Sequence, residues 1–283
     1  SDGALRAVVL SVSGSTITVN TAVTLVMGST ALAYFSVALI DSTHVIVGKS
    51  NSPGGYDFMV VTISGTTVTA NTVYTHATVG NPSLAAPYLA KLSSTEIAVV
   101  YRDRWTVLST TADGARGMVL SVSGTTITLP VGPQDLIHQY GPFGAHQHCM
   151  HAVSSSRVAF VLPPNAGGVF TAMEYDIAGG LFSPVGGVAA STANALVGSA
   201  QCFDVSSVTA SGYLVVTVDS PNQDLTSTPL QASGAGPVIG SRVVVRDNPS
   251  PLTYPASASL TATKKLVVYT DSASVYGVVF DVT

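Results

Sequence analysis

One eleven-residue pattern occurs three times along this chain and leaves few folds open to it. Val8-Val9-Leu10-Ser11-Val12-Ser13-Gly14-Ser15-Thr16-Ile17-Thr18 returns as Met59-Val60-Val61-Thr62-Ile63-Ser64-Gly65-Thr66-Thr67-Val68-Thr69. It returns again as Met118-Val119-Leu120-Ser121-Val122-Ser123-Gly124-Thr125-Thr126-Ile127-Thr128. Each copy is a β-branched run, a Ser-Gly pair and a second β-branched run. Branching at Cβ favours the pleated backbone, and glycine supplies the positive φ that a tight hairpin turn needs. Each copy therefore reads as a β-hairpin.

Looser copies follow at Ala172–Gly180 and Thr228–Gly234, with a half-copy from Gly277 to Thr283. Successive copies start 51, 59, 54, 56 and 49 residues apart. One unit per roughly 50 residues suits a four-stranded propeller blade. Between these hairpins lies a second pattern of apolar strand, small polar turn and apolar strand. It spans Val37–Val47 around Asp41-Ser42-Thr43, Leu89–Val100 around Ser93-Ser94-Thr95, and Ala152–Val161 around Ser154-Ser155-Ser156. It also spans Val205–Val218 and Ser257–Tyr269. No segment sustains a 3.6-residue apolar period, so helix is not expected.

The expected fold is an all-β propeller, a single domain over 1–283. It would have five four-stranded antiparallel blades at about 30–76, 84–131, 145–186, 200–245 and 254–283. The N-terminal hairpin (4–26) would complete the fifth blade, leaving one strand over. A six-bladed ring or an open repeat array is the alternative.

Composition narrows the function classes. Only 9% of residues are charged, against about 25% in an ordinary soluble domain. Ser, Thr, Asn and Gly take over the solvated surface, as in secreted proteins and virion components. A net charge of −4 with four lysines (Lys49, Lys91, Lys264, Lys265) argues against a nucleic-acid surface. No run reaches the roughly 18 apolar residues of a membrane span, so membrane insertion is not expected. The start at Ser1 reads as processed or trimmed from something longer.

The three hairpins, with Tyr101-Arg102-Asp103 and its echo Tyr269-Thr270-Asp271, resemble tandem repeats of phage tail, fibre and virion-surface proteins and of bacterial surface propellers. That resemblance implies adhesion or receptor contact rather than catalysis. It places the protein outside the cell or on a virion surface, as a homo-oligomer or among other surface proteins.

Candidate site residues fall into four sets. For a glycan or receptor, an aromatic face beside polar groups is needed. Tyr101, Asp103, Arg104 and Trp105, read as the turn closing a second strand, supply it, with Tyr269 and Asp271 as the fifth-blade equivalents. For a metal ion, His146, His148 and His151 cluster, with His138 upstream. Zinc needs three or four such ligands, and hydrogen-bonded channel-lining histidines are the competing reading. No other cofactor is implied. Cys149 and Cys202 fall at matched positions of neighbouring repeats, where a disulfide and two buried thiols both fit. A propeller glycoside hydrolase would need converging carboxylates. The two glutamates are Glu96, expected at a solvated hairpin tip, and Glu174, on a third strand beside Asp176. No catalytic residue is assigned.

Overall fold

A computed structural model describes residues 5–13, 16–26, 35–51, 54–78, 86–107, 110–139, 149–162, 171–190, 204–207, 212–218, 225–233, 235–241, 243–246, 252–259, 264–271 and 274–281. Every regular element among them is a β-strand, and every ladder is antiparallel. The chain divides into two compact units, Ser1–Ala145 and His146–Thr283.

The first unit opens with a long, interrupted hairpin: β1 (Leu5–Ala7), β2 (Leu10–Ser13), β3 (Thr16–Val19) and β4 (Val23–Leu25), in which β1 pairs β4 and β2 pairs β3. Its first sheet runs in the order β5 (Phe35–Leu39), β6 (His44–Asn51), β7 (Gly55–Ser64), β8 (Thr67–Ala77). The second contains β9 (Tyr88–Lys91), β10 (Glu96–Val107) and β11 (Thr110–Ser123). Its outer edge is shared by β12 (Thr126–Thr128) and β13 (Gln134–Gln139).

Among the described residues the second unit holds three sheets. The first is β14 (Cys149–Ser154), β15 (Arg157–Leu162), β16 (Thr171–Ala178) and β17 (Leu181–Ala190). Next come β18 (Asp204–Ser207), β19 (Gly212–Val218) and β20 (Leu225–Gln231), edged by β21 (Val238–Ile239) and β22 (Val243–Arg246). Last is the three-stranded sheet β23 (Leu252–Ser259), β24 (Lys264–Asp271), β25 (Ser274–Asp281).

Local chemistry explains the turns. Ser64 pairs with Thr67 and Ser123 with Thr126, so each loop is two residues and begins at a glycine with φ +58°. The inner turns share another device. The Asp41 carboxylate accepts from the Thr43 and His44 amides at 2.7 and 2.9 Å. Ser93 and Ser154 hydroxyls accept from the Thr95 and Ser156 amides at 3.1 and 3.2 Å. Such side-chain caps close the turn without a backbone partner. The Thr43 amide and hydroxyl, with His44, hold the Asp41 carboxyl down at about 2.

Asn20 and Asn71 show that the N-terminal hairpin is the same unit as β7–β8. Asn71 donates its side-chain amide to the Val60 carbonyl and the Thr62 hydroxyl at 2.9 and 3.0 Å, at a register shift in the ladder. Asn20 donates to the Val9 carbonyl and the Ser11 hydroxyl at the same distances, where β3 gives way to β4.

Alternation along the strands splits the first unit's apolar residues into two layers. Tyr56, Phe58 and Val60 pack with Ile97, Val99, Tyr101, Met118 and Leu120 between the first two sheets. Val47, Met59, Val61 and Val68 pack with Leu5, Ala7, Val9, Val23 and Leu25 of the hairpin. In the second unit, Ala159, Val161 and Ala172 meet Val215 and Leu230.

One expectation is corrected. Tyr101 to Trp105 do not form a turn. They pair across β11 from Tyr101 opposite Arg116 to Trp105 opposite Ala112, and the ladder continues to Val107 opposite Thr110. No proline, glycine or asparagine stands between Tyr101 and Thr110, so nothing stops the ladder there.

Candidate binding site

Midway along the β10–β11 ladder, the first unit brings several charged side chains together. Arg116 is the centre. Its Nη1 donates to Asp103 Oδ2 at 3.0 Å and its Nε to Asp135 Oδ1 at 2.6 Å. The Asp103 side chain is 0% exposed, Arg116 22% and Asp135 36%. The guanidinium thus joins a buried carboxylate to one at the surface. Tyr101 lies directly across the ladder from Arg116 and is buried. Its hydroxyl is 3.0 Å from His76 Nε2 of the first sheet, and the two rings meet edge-on at 5.4 Å. Tyr56 stacks tilted on Tyr101 at 4.9 Å and donates its hydroxyl to the Arg102 carbonyl at 2.7 Å.

Electrostatics follow from burial. Burial pushes the Tyr101 hydroxyl well above its ordinary pKa, and the Asp103 charge adds to this. Burial lowers His76; Asp103 opposes that shift and Arg116 reinforces it. Burial also works against the Arg116 charge, yet Asp135, Tyr101 and Asp103 together raise its pKa.

The first sheet repeats the arrangement with the chemistry inverted. Asp57 lies between Lys49 and Thr75 in the ladder, as Arg116 lies between Tyr101 and Asp135. Asp57 Oδ1 accepts from Asn51 Nδ2 at 3.0 Å and from the Thr75 hydroxyl at 2.7 Å. Its Oδ2 is buried with no hydrogen-bond partner. Asp57 stands two residues before Met59, and Arg116 two before Met118. Arg6, opposite Thr24 in the hairpin, stands two before Val8. A charged residue at that position in all three regular copies is the sequence signal that identifies this site. His76 and Asp135, on outer strands, carry no such signal.

Of the other glycan candidates, Arg104 and Trp105 lie on β10 opposite Asp113 and Ala112; their side chains are outside the described residues. Tyr269 and Asp271 lie on β24, opposite Tyr276 and Ser274, and their side chains also fall outside. His151 sits on β14 opposite Ala159, and Cys149 opposite Val161. His146, His148 and Cys202 lie outside the described residues. Among the described residues no three His, Cys, Asp or Glu side chains are grouped to hold a metal ion.

The second unit has a related cluster beside an inner turn. Arg157 holds Asp176 through two hydrogen bonds of 2.7 and 3.1 Å, and its Nη1 is 3.6 Å from Glu174 Oε2. Glu174 is buried and Asp176 half exposed, on one face of β16 as their spacing requires. Glu96 is exposed at the start of β10, just past the Ser93–Thr95 turn.

No family model matches the chain, and no curated protein matches it. Solved structures do. The lectin of the fungus Aleuria aurantia, whose structure is described as a six-bladed β-propeller with a novel fucose recognition mode, superposes with TM-score 0.52 at 13% identity. That match covers 86% of this chain and 72% of the lectin. A mercury-derivative form of the same fucose-specific lectin gives TM-score 0.55 at 13% identity, covering 87% of this chain and 74% of the lectin. A mutant of the lectin in complex with Fucα1-6GlcNAc gives TM-score 0.51 at 13% identity, covering 83% and 70%. The likeness is to an all-β fold of propeller-type repeats. The five-blade expectation is not confirmed, since the Aleuria aurantia lectin has six blades.

Proposed function

We propose that the protein is a non-catalytic glycan-binding propeller, displayed on a virion or cell surface. The observation that carries this reading is the Asp103–Arg116–Asp135 cluster with Tyr101 and His76. In a chain with 9% charged residues, it concentrates fixed donors and acceptors midway along one ladder. Asp103 and Asp135 hold the guanidinium in place, so Arg116, Asp135 and the His76 ring give this part of the surface a polarity fixed by the fold. Such polarity suits the paired hydroxyls of a neutral sugar, because an anionic sugar would meet the exposed Asp135 carboxylate. Affinity would come from many weak, related contacts. Similarity to a fucose-specific lectin supports the same reading, as does the Ser- and Thr-rich surface. We further propose five blades, the fifth made of β23–β25 completed by the N-terminal hairpin.

A glycan array probed with the intact protein tests the function. Binding to neutral glycans is expected, and R116A should lose it while keeping the strand signature in circular dichroism. Absence of binding to any glycan at micromolar protein overturns the reading.

A second reading rests on Glu174 and Asp176, two carboxylates held by one arginine, as a glycoside hydrolase would need. Turnover of aryl glycosides that disappears in E174Q would establish it; no turnover removes it. A metal site at His146, His148 and His151 is tested by elemental analysis of the purified protein, where no bound transition metal excludes it.

A further inference from the structure

Among His76, Tyr101, Asp103, Arg116 and Asp135, only the imidazole ordinarily changes charge between pH 5 and 8. All five residues belong to the first unit. His76 reaches the cluster from β8 of the first sheet, whereas the other four stand on β10, β11 and β13 of the second. Its ring is half-buried, and its Nε2 meets the buried Tyr101 hydroxyl at 3.0 Å. Its ladder partner on β7 is Tyr56, whose own hydroxyl is committed to the Arg102 carbonyl. The charges of Asp103 and Arg116 both act on the His76 ring, with opposite sign.

Counted formally, the cluster sets two carboxylates against one guanidinium, a net charge of −1 while His76 is neutral. One proton on His76 brings that sum to zero. The proton also fixes a direction. A neutral imidazole meets the Tyr101 hydroxyl as donor or as acceptor, according to its tautomer, whereas both ring nitrogens of the cation donate. Nε2–H then gives to the Tyr101 oxygen, and the hydroxyl proton turns away. Tyr101 lies opposite Arg116 in the ladder, so this change falls beside the guanidinium. Burial keeps His76 below the ordinary 6.5, and the cluster therefore retains its negative sum at neutral pH.

We propose that His76 makes this cluster a proton-gated selector between sugar classes: neutral glycans at neutral pH, and glycans bearing a carboxylate once His76 is protonated. This selectivity rests on the glycan-binding reading of the cluster. At neutral pH a sugar carboxylate approaching Arg116 gains a charge-assisted pair, but it also meets the repulsion of Asp135 at the surface and of buried Asp103. A second cation beside Arg116 offsets that repulsion. A neutral sugar has no charge to repel and gains little from it. Reciprocally, a bound carboxylate favours the proton on His76.

The test uses matched glycans, with and without a terminal sialic or uronic acid, on one array probed with the intact protein at pH 7.5 and 5.0. Sugar carboxylates stay ionised at both, as α-carboxyls do. The carboxylated-to-neutral binding ratio should rise at least about fivefold in acid, and H76Q should abolish the rise. His138, three residues past Asp135 on β13, and the remaining histidines titrate in both proteins, so the difference between them belongs to His76. A ratio that does not rise, or that rises equally in H76Q, overturns the selectivity and leaves the glycan reading standing. Absence of binding at either pH overturns both. Should H76Q bind nothing or fail to fold, the His76 ring of the wild type decides by NMR titration. The carboxylated glycan should raise its midpoint and the matched neutral glycan should not; equal midpoints overturn the proposal.

Discussion

Arg116 and Asp57 occupy the same register position on the third strands of successive sheets and carry opposite charge. Each is the hub of a small network joining the second, third and outer strands, Asp103–Arg116–Asp135 in one and Asn51–Asp57–Thr75 in the other. The backbone position is conserved between sheets while donor and acceptor roles exchange. This is how a repeat can keep one geometry and vary what it binds.

Removing the hub should be costly. R116M leaves the buried Asp103 carboxylate without its ion pair, and about 2–4 kcal/mol of stability should be lost. The double variant R116M/D103L should recover much of that. Urea midpoints of the two variants check the difference.

Tyr56→Phe removes a buried hydroxyl that bonds the Arg102 carbonyl across the two sheets. About 1–2 kcal/mol should be lost, with no change in ring packing on Tyr101. Thermal melts of Y56F beside Y56A, where about 3–5 kcal/mol should go, separate the hydrogen bond from the ring.

Acid should weaken the first unit through His76. Its folded pKa lies below the ordinary 6.5, so the unfolded chain takes up the proton first. Stability is then full above about pH 6.5, falls as pH drops below that, and levels once the folded histidine is also protonated. H76Q should flatten this part of the profile, measured as urea midpoint between pH 7.5 and 5.

Gly186 should tolerate no side chain. Its φ is +64°, and a Cβ there would lie 1.8 Å from the Ala235 carbonyl oxygen. G186A should lose more than about 2 kcal/mol. G65A, at φ +58° with open space around it, should lose only about 1 kcal/mol. Melting temperatures of the two variants give the ranking.

Much of the architecture was legible because strand pairing depends on local pattern. The Ser-Gly hairpins, the polar inner turns and the order of strands within each sheet all follow from alternation and turn chemistry at short range. The reading of Tyr101–Trp105 as a turn failed for a related reason: polar residues suggest a break, yet without a true breaker a long ladder continues. The site was harder to see. Asp103 was visible beside Tyr101, but its partner Arg116 comes from the next strand, and Asp135 and His76 come from outer strands 19 residues later and in the preceding sheet.

By itself, then, the sequence determined a repeating antiparallel unit, through β-branched runs and glycines whose conformational preferences act over a few residues. Tertiary structure decided which polar residues meet. That depends on strands brought together from distant positions, where register and packing, rather than any single residue's preference, choose the neighbours.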